Sequence, residues 1–537
     1  MIDLDVVIIG AGAAGLTAAI SAKLRGASVM ILEKNKRLGG SGAISGGIIW
    51  VPNNHLMAEK GIDDTAEDAL AYFKSLDNGD VNYDLLETFV SESPDVIKTL
   101  IDIDALAVSI MDGYPDYYVD RPGAKVNGGR AMDNDLFSFH ELGEWADKIY
   151  TSPDIPRLML RETPLGGASG LIDPEELAHR LENDQRGWGQ AMIARLLKAC
   201  LEHEIEPRLN IEVKFMTPLD KGWVINVLSE AGREDIRAGS VIIATGGFEW
   251  NASLRQSFLR GPLTKPASPP TNQGDGLKLI MSAGASLGNM TSAWWVPTLS
   301  IPGDHWDDGS QRSLPVLIER TLPHTLMVNK NGERFCNEAN NYSALAGAFQ
   351  FFDPKTYSYP NLPAILVFDH QYRSKYPIAT LMPSMDTPNW LTQASSLSEL
   401  AEKMGVKADV FEETVNTFNK NARAGQDPEF GRGDSSYDRF YGDRSREGVL
   451  ATLGEISQPP FYAVTLEMGA LGTNGGAQTN GKAEVLDVNG NVIPGLFAAG
   501  NVMAGSTGGI YAGAGGTLGP ALTFGFIAGE AAANKVL

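Results

Sequence analysis

Cysteine is almost absent: Cys200 and Cys336 are the only two in 537 residues. That excludes a disulfide framework and a cysteine-based zinc site, and it fits a reducing compartment. Histidine is nearly as sparse, with seven scattered residues and no H-x-x-x-H or His/Cys cluster, so no metal site is expected. Basic residues number 44 against 66 acidic ones, a net charge of −22, which argues against nucleic acid as a partner. No apolar run approaches the ~18–20 residues of a membrane span, and the stretch 521–527 is interrupted by glycine. The amino terminus has no basic segment and no cleavage site, so no signal peptide is expected. The expectation is a cytoplasmic protein, with peripheral membrane contact left open.

What is abundant is glycine. The chain has 59, well above the ~7% of average usage, while its 43% hydrophobic content is that of a globular protein. The first cluster explains itself. Residues 4–9 form an apolar, β-branched run suited to a strand buried on both faces of a parallel sheet. Gly10, Gly12 and Gly15 follow as G-x-G-x-x-G, with Ala13 and Ala14 opening a helix over 13–24, and a second strand over 28–32 ends on Glu33. In such a unit the first glycine permits the turn, the second lets a pyrophosphate approach the backbone, and the third lets helix and strand pack closely. The helix amino terminus faces the phosphates and Glu33 can accept ribose hydroxyls.

Further glycine segments favour FAD over NAD. Lys34 follows Glu33, and the loop around Gly40, Ser41, Gly42 and Ala43 continues through Ser45, Gly46 and Gly47. Small residues there let backbone N–H groups lie against a pyrophosphate or an isoalloxazine ring. A strand over 240–245 ends in Ala244, Thr245, Gly246 and Gly247, and 495–501 repeats the pattern with Gly500 and Asn501. Each alone reads as a strand-end turn; four in this order read as the contacts of one extended cofactor.

The remaining chain changes character. Helices are expected over 65–76, 84–100 and 190–203, and strands within 211–228. From 288 to 466, proline and aromatic residues interrupt the pattern, and one helix is expected over 397–421. The expected organisation is α/β: a Rossmann-like FAD-binding domain (1–287 and 467–537) split by an inserted α+β catalytic cap domain (288–466). Seventeen of the glycines fall between Gly469 and Gly529.

The ordered set G-A-G-A-A-G, E-K, G-G-S-G, A-T-G-G-F and G-L-F-A-A-G-N resembles the fumarate reductase and 3-ketosteroid dehydrogenase superfamily of FAD flavoproteins, over nearly the whole chain. The resemblance implies noncovalent FAD, since residues 39–47 contain no histidine, and it adds Gly516, Thr517 and Leu518 to the cofactor set. In that superfamily the substrate sits between the FAD domain and the cap. Asp116-Tyr117-Tyr118, Asn337-Glu338 with Tyr342, and Tyr511-Ala512-Gly513-Ala514-Gly515 with Thr517-Leu518-Gly519-Pro520 are similar to the signature of 3-ketosteroid Δ1-dehydrogenases. By that resemblance the reaction turns a 3-keto-4-ene steroid into the 1,4-diene-3-one. Tyr511 and the Gly515 N–H would hold the 3-keto oxygen, Tyr342 would remove the carbon-2 proton, Tyr118 would support Tyr342, and the carbon-1 hydride would pass to flavin N5.

Enolate chemistry makes these roles coherent. A C–H bond beside a ketone is acidified only if the developing oxyanion is stabilised, here by a phenol and an amide. A tyrosine base, with a free pKa near ~10, needs a hydrogen-bonded partner at neutral pH. Tyr117 competes with Tyr118 for the supporting role. Trp294, Trp295 and Phe248 are available to an apolar steroid, and Cys336 is expected to be inert. Three other readings stand beside this one. A fumarate reductase-like flavoprotein would need a cation for its dianion, and 501–520 contains no Arg, Lys or His. A 3-ketosteroid Δ4-(5α)-dehydrogenase would carry serine where Gly513 stands. A flavin-binding protein could keep the fold without the chemistry. The expected electron acceptor is a quinone or redox protein, because no second dinucleotide site is visible; the oligomeric state stays open.

Overall fold

The computed structural model describes residues 2–534. It divides into two compact units, one of Met1–Leu259, Ser268–Ala293 and Gly472–Leu537, the other of Arg260–Ala267 and Trp294–Leu471. The main stretch of the second unit, Trp294–Leu471, begins and ends slightly later than the expected 288 and 466, and the unit also takes in Arg260–Ala267. That short segment adds to the edge of a strand, with the Ala267 N–H donating to Ala470 O at 2.9 Å.

In the first unit the strands Glu484–Leu486, Val492–Ala498, Gly232–Ile243, Ile2–Ile9 and Val29–Leu32 lie side by side in that order. The last four are mutually parallel, in register at Ile9 with Ile243 and with Leu32, and at Ile243 with Ala498. Parallel strands bury both faces, which is why Val6, Val7, Ile8, Val241 and Ile242 are all fully enclosed. Two further strands, Glu212–Pro218 and Trp223–Ser229, extend the sheet as an antiparallel hairpin.

The register decides where the glycine turns go. Gly10, Glu33, Ala244 and Gly500 each follow a strand that ends at the same level, so four segments far apart in sequence emerge together at the carboxyl edge of the sheet. That edge is where open α/β sheets bind ligands.

Two helices cross closely beneath it. Ala13–Leu24 and Leu518–Asn534 meet through small residues: a Cβ on Gly525 would lie 2.5 Å from Ala14 O, and one on Gly529 2.2 Å from Ala18 O. Ser21 Oγ donates to Phe526 O across the same contact at 2.6 Å. The alanines of the first helix and the glycines of the last are therefore one feature, a backbone-to-backbone approach.

The second unit is built on a six-stranded sheet with an antiparallel centre, in which Ala364–Asp369 pairs with both Thr325–Val328 and Phe461–Thr473. The single helix expected over 397–421 is two, Leu397–Met404 and Ala408–Arg423. Gly405 takes a left-handed backbone with φ of 73°, and the Val406 N–H turns back to Ala401 O at 3.1 Å, closing the first helix. Leu400, Phe411, Val415 and Phe418 from this pair pack on Leu326 and Val367 of the sheet. Among the described residues, no helix is long and apolar enough to cross a membrane.

Replacing Gly525 or Gly529 by alanine is expected to destabilise the protein by about 1–3 kcal/mol each, because the new methyl meets a backbone carbonyl. Denaturant unfolding measures this, with Gly347→Ala as control, since a Cβ at Gly347 meets nothing within 4 Å.

Candidate active site

The carboxyl edge of the first unit's sheet is assembled from the residues the motifs singled out. A Cβ on Gly10 would lie 2.4 Å from Ala244 O, and one on Gly15 2.0 Å from Gly10 O, so both glycines are required by the chain's own packing. Gly12 differs: a Cβ there meets nothing within 4 Å, leaving an open face at the start of helix Ala13–Leu24. Glu33, half-buried just past the end of its strand, accepts the Ala11 N–H at 3.0 Å and the Asn35 N–H at 2.9 Å, one on each oxygen. Burial pushes its carboxyl upward against those bonds. Each oxygen keeps a lone pair for a hydroxyl donor. Lys34 is tied to Asp275. Thr245 Oγ1 is buried without a partner among the described residues.

The 39–47 loop lies against the helix Trp188–Glu202. Ser45 Oγ donates to Gly42 O at 2.8 Å and accepts the Gly47 N–H at 3.1 Å, while Asn134 Nδ2 donates to Gly47 O at 2.6 Å. Ser41 Oγ accepts from Asn272 Nδ2 at 2.9 Å, and Asn272 donates also to Glu249 at 2.6 Å. Glu249 is fully buried and further accepts from Ser268 Oγ at 2.5 Å and the Thr473 N–H at 3.3 Å. It thereby ties the Gly246–Gly247 turn to the Ser41 loop. An open glycine face, a threonine hydroxyl without a partner among the described residues and a half-buried carboxylate beside a helix start fit the phosphates and ribose of FAD. Bound there, FAD would be held by Gly12, Glu33, the Ser41–Gly47 loop and the Thr245–Gly247 turn.

Gly500 and Asn501 open a short helical turn at the same edge, and Gly516, Thr517 and Leu518 lead into the last helix. Just before them lies the loop of Tyr511. The Tyr511 ring stacks on Tyr117, centroids 5.6 Å apart and 12° from parallel. Ala512 O accepts the Tyr117 N–H at 3.0 Å and the Tyr72 hydroxyl at 2.8 Å. Gly515 has φ of 92°, and a Cβ there would fall 2.5 Å from Ile48 O and 2.7 Å from the Trp50 N, so only glycine fits. The Gly515 N–H has no acceptor among the described residues, while its carbonyl takes the N–H groups of Trp50, Leu518 and Gly519.

A buried polar core stands behind this loop. Trp50 Nε1 donates to Asp116 Oδ1 at 2.8 Å, and Arg130 bridges Asp116 at 2.9 Å and Asp64 at 2.7 Å with its side chain fully enclosed. Burial pushes Asp116 upward although the Arg130 guanidinium opposes it. A Cβ on Gly513 would lie 2.5 Å from Trp50 Nε1.

Tyr342 belongs to the second unit and is 9% exposed. Its segment is anchored by charge. Arg334 donates two bonds to the buried Glu338 carboxylate at 2.7 and 2.8 Å, and Arg432 adds a third at 3.2 Å. Burial alone would raise the Glu338 carboxyl; the two guanidiniums win and hold it below its usual range. Arg320 donates to the Glu338 and Asn340 carbonyls, and the Asn341 side chain accepts the Ala344 N–H at 2.9 Å, closing the turn that carries Tyr342. Trp294, Trp295, Phe248 and Cys336 are all buried, and burial pushes the Cys336 thiol far up.

Sequence reasoning passed over Trp50, Tyr72, Arg130, Glu249 and Asn272. Glu249 sits two residues past the A-T-G-G turn, a position that could have marked it. The other four carry no local signal, because their partners are distant in sequence.

The comparisons with known proteins agree along the full length. The family model described as FAD binding domain matches residues 5–518. The chain is 38% identical to a 4-oxocyclohexanecarboxylate 2-dehydrogenase of Sinomonas cyclohexanicum, over 99% of this chain and 93% of that protein. It is 34% identical to a 3-oxosteroid 1-dehydrogenase of Mycolicibacterium smegmatis, over 98% and 96% respectively. A solved 3-ketosteroid Δ1-dehydrogenase from Sterolibacterium denitrificans, in complex with 1,4-androstadiene-3,17-dione, superposes with a TM-score of 0.90 at 33% identity, over 99% of this chain and 100% of that one.

Asp133, next to the Asn134 that holds Gly47, provides a pH test. Burial raises its carboxyl from 3.8 to about 6, against the Arg161 N–H bond. Between those values the folded protein binds the extra proton, so stability falls as pH rises and the penalty is complete above pH 6. Asp133→Asn is expected to be more stable than wild type above pH 6, by up to ~3 kcal/mol, with the gap closing toward pH 4. Urea unfolding across that range measures it; a pH-independent gap rejects the assignment.

Proposed function

The chain belongs to the FAD-binding family that includes the 3-oxosteroid 1-dehydrogenases and is an FAD-dependent oxidoreductase, and we propose that it dehydrogenates 3-ketosteroids between carbons 1 and 2. The names of its relatives share one chemistry. Carbon 1 is β to a 3-oxo group, and carbon 2 is β to a 4-oxo group, so both relatives introduce a double bond α,β to a ring ketone.

The observation that carries the reading is the Tyr511–Gly515 loop, which offers a phenol together with an amide N–H, that of Gly515, which has no acceptor among the described residues. Two such donors suit the oxygen of a ketone becoming an enolate. In this reading Tyr511 and the Gly515 N–H hold the ketone oxygen, Tyr342 takes the carbon-2 proton, and Tyr118 supports Tyr342. FAD, when bound, supplies the acceptor for the carbon-1 hydride. An external quinone or redox protein then takes the electrons.

Two features favour this over its rivals. A serine at 513, as in the Δ4-(5α) enzymes, would collide with the Trp50 indole that Asp116 holds in place. A second reading, a monocyclic oxo acid, is favoured by the 38% relative. Its carboxylate needs a cation, and 501–520 offers none.

The deciding test is anaerobic bleaching of the yellow flavin by androst-4-ene-3,17-dione against 4-oxocyclohexanecarboxylate, with colour regained on adding an artificial acceptor. Bleaching by the oxo acid and by no 3-ketosteroid rejects the steroid reading. Tyr342→Phe is expected to abolish turnover and carbon-2 deuterium washout with FAD content intact, and Tyr511→Phe to weaken steroid binding. Near-wild-type turnover in Tyr342→Phe means another group is the base.

A further inference from the structure

We propose that Tyr72, which lies outside every sequence motif, is the positioning residue that locks together the two segments carrying Tyr118 and Tyr511; its part in turnover rests on the functional reading above. Tyr72 sits on the helix Ala66–Leu76 and is fully buried. Its hydroxyl donates to Ala512 O at 2.8 Å and accepts the Tyr118 N–H at 3.1 Å. One oxygen thus bridges the residue after Tyr511 to the candidate supporting tyrosine, across nearly 400 positions of sequence.

The bridge matters because neither segment has a ladder of its own. Both 115–119 and 511–515 lie outside helices and strands. The contacts that set their mutual geometry include the Tyr72 bridge, the Tyr117 N–H to Ala512 O, the Tyr117–Tyr511 ring stack, and the Trp50–Asp116 bond that fills the space beside Gly513. Tyr72 binds both backbones through a single side-chain oxygen.

The hydroxyl is built for holding and not for proton transfer. Its proton is directed at a carbonyl and its accepting side faces an amide, so neither partner can relay a proton. Burial and the neighbouring Asp116 carboxylate both raise the phenol's pKa and keep it protonated. The Arg130 guanidinium lies over the Tyr72 ring, 5.7 Å from its centre. Small displacements of positioned groups cost about a hundredfold in rate per ångström-scale error.

Tyr72→Phe preserves the ring and removes the bridge. In the holoenzyme variant, amide-resolved hydrogen exchange is expected to rise at least tenfold at Tyr118 and across 511–515, with the sheet Ile2–Ile9 and Gly232–Ile243 unchanged. Turnover of the active ketone is expected to show kcat reduced at least tenfold with KM within about threefold, FAD content being equal. Unchanged exchange at Tyr118 overturns the proposal, and so does changed exchange with wild-type kcat. Wild-type protein supplies an independent measurement: the Tyr118 amide should be protected although it lies in no helix or strand, and free exchange there overturns the proposal without any variant. Should wild-type enzyme turn over neither ketone class, the functional reading fails, while exchange at Tyr118 still decides whether Tyr72 locks the two segments.

Discussion

Everything at this site depends on the parallel register of four strands. Ile9, Leu32, Ile243 and Ala498 stand at one level. Because parallel strands all point the same way, the turn after each must leave from the same edge, and each turn here begins with glycine, glutamate or alanine. A dinucleotide is too long for one loop to hold, so the fold gathers backbone donors from segments hundreds of residues apart. The close crossing of Ala13–Leu24 and Leu518–Asn534 serves the same end. Small side chains let these two helices pack backbone to backbone, although about 500 residues of sequence separate them.

The second constraint is electrostatic. Burying a carboxylate is costly unless donors replace its water. Asp116 receives an indole N–H, a guanidinium and the Lys125 N–H, whereas Glu249 is held by neutral donors alone. Such networks add little net stability over apolar packing, but losing one partner leaves an uncompensated buried charge. Their value here is geometric. The Asp64–Arg130–Asp116–Trp50 chain backs the Tyr511 loop, and the Arg334–Glu338–Arg432 cluster fixes the turn before Tyr342. Loops without ladders are thus held rigid by their buried side-chain partners.

The nucleotide edge was legible because its signals are local. A strand, a glycine triplet, a helix and a closing acid fall within thirty-three residues, and steric need for glycine is written residue by residue. The helix over 397–421 was misjudged because apolar spacing runs straight through Gly405, whose left-handed turn the periodicity does not register. Tyr117 and Tyr118 could not be ranked from sequence, being adjacent and chemically alike. In the fold Tyr117 takes the ring stack on Tyr511, while Tyr118 gives its N–H to Tyr72.

By itself the sequence determined the dinucleotide unit and the glycine segments of the cofactor edge, since each is a short-range steric pattern, and its resemblance to a family singled out candidate tyrosines. Only the tertiary structure decided which groups hold those tyrosines: Trp50, Tyr72, Arg130 and Asp116 meet through pairings that no spacing announces. The physical reason is that a buried polar group is satisfied by whichever partner the fold brings within hydrogen-bonding distance, and that choice belongs to packing across the whole chain.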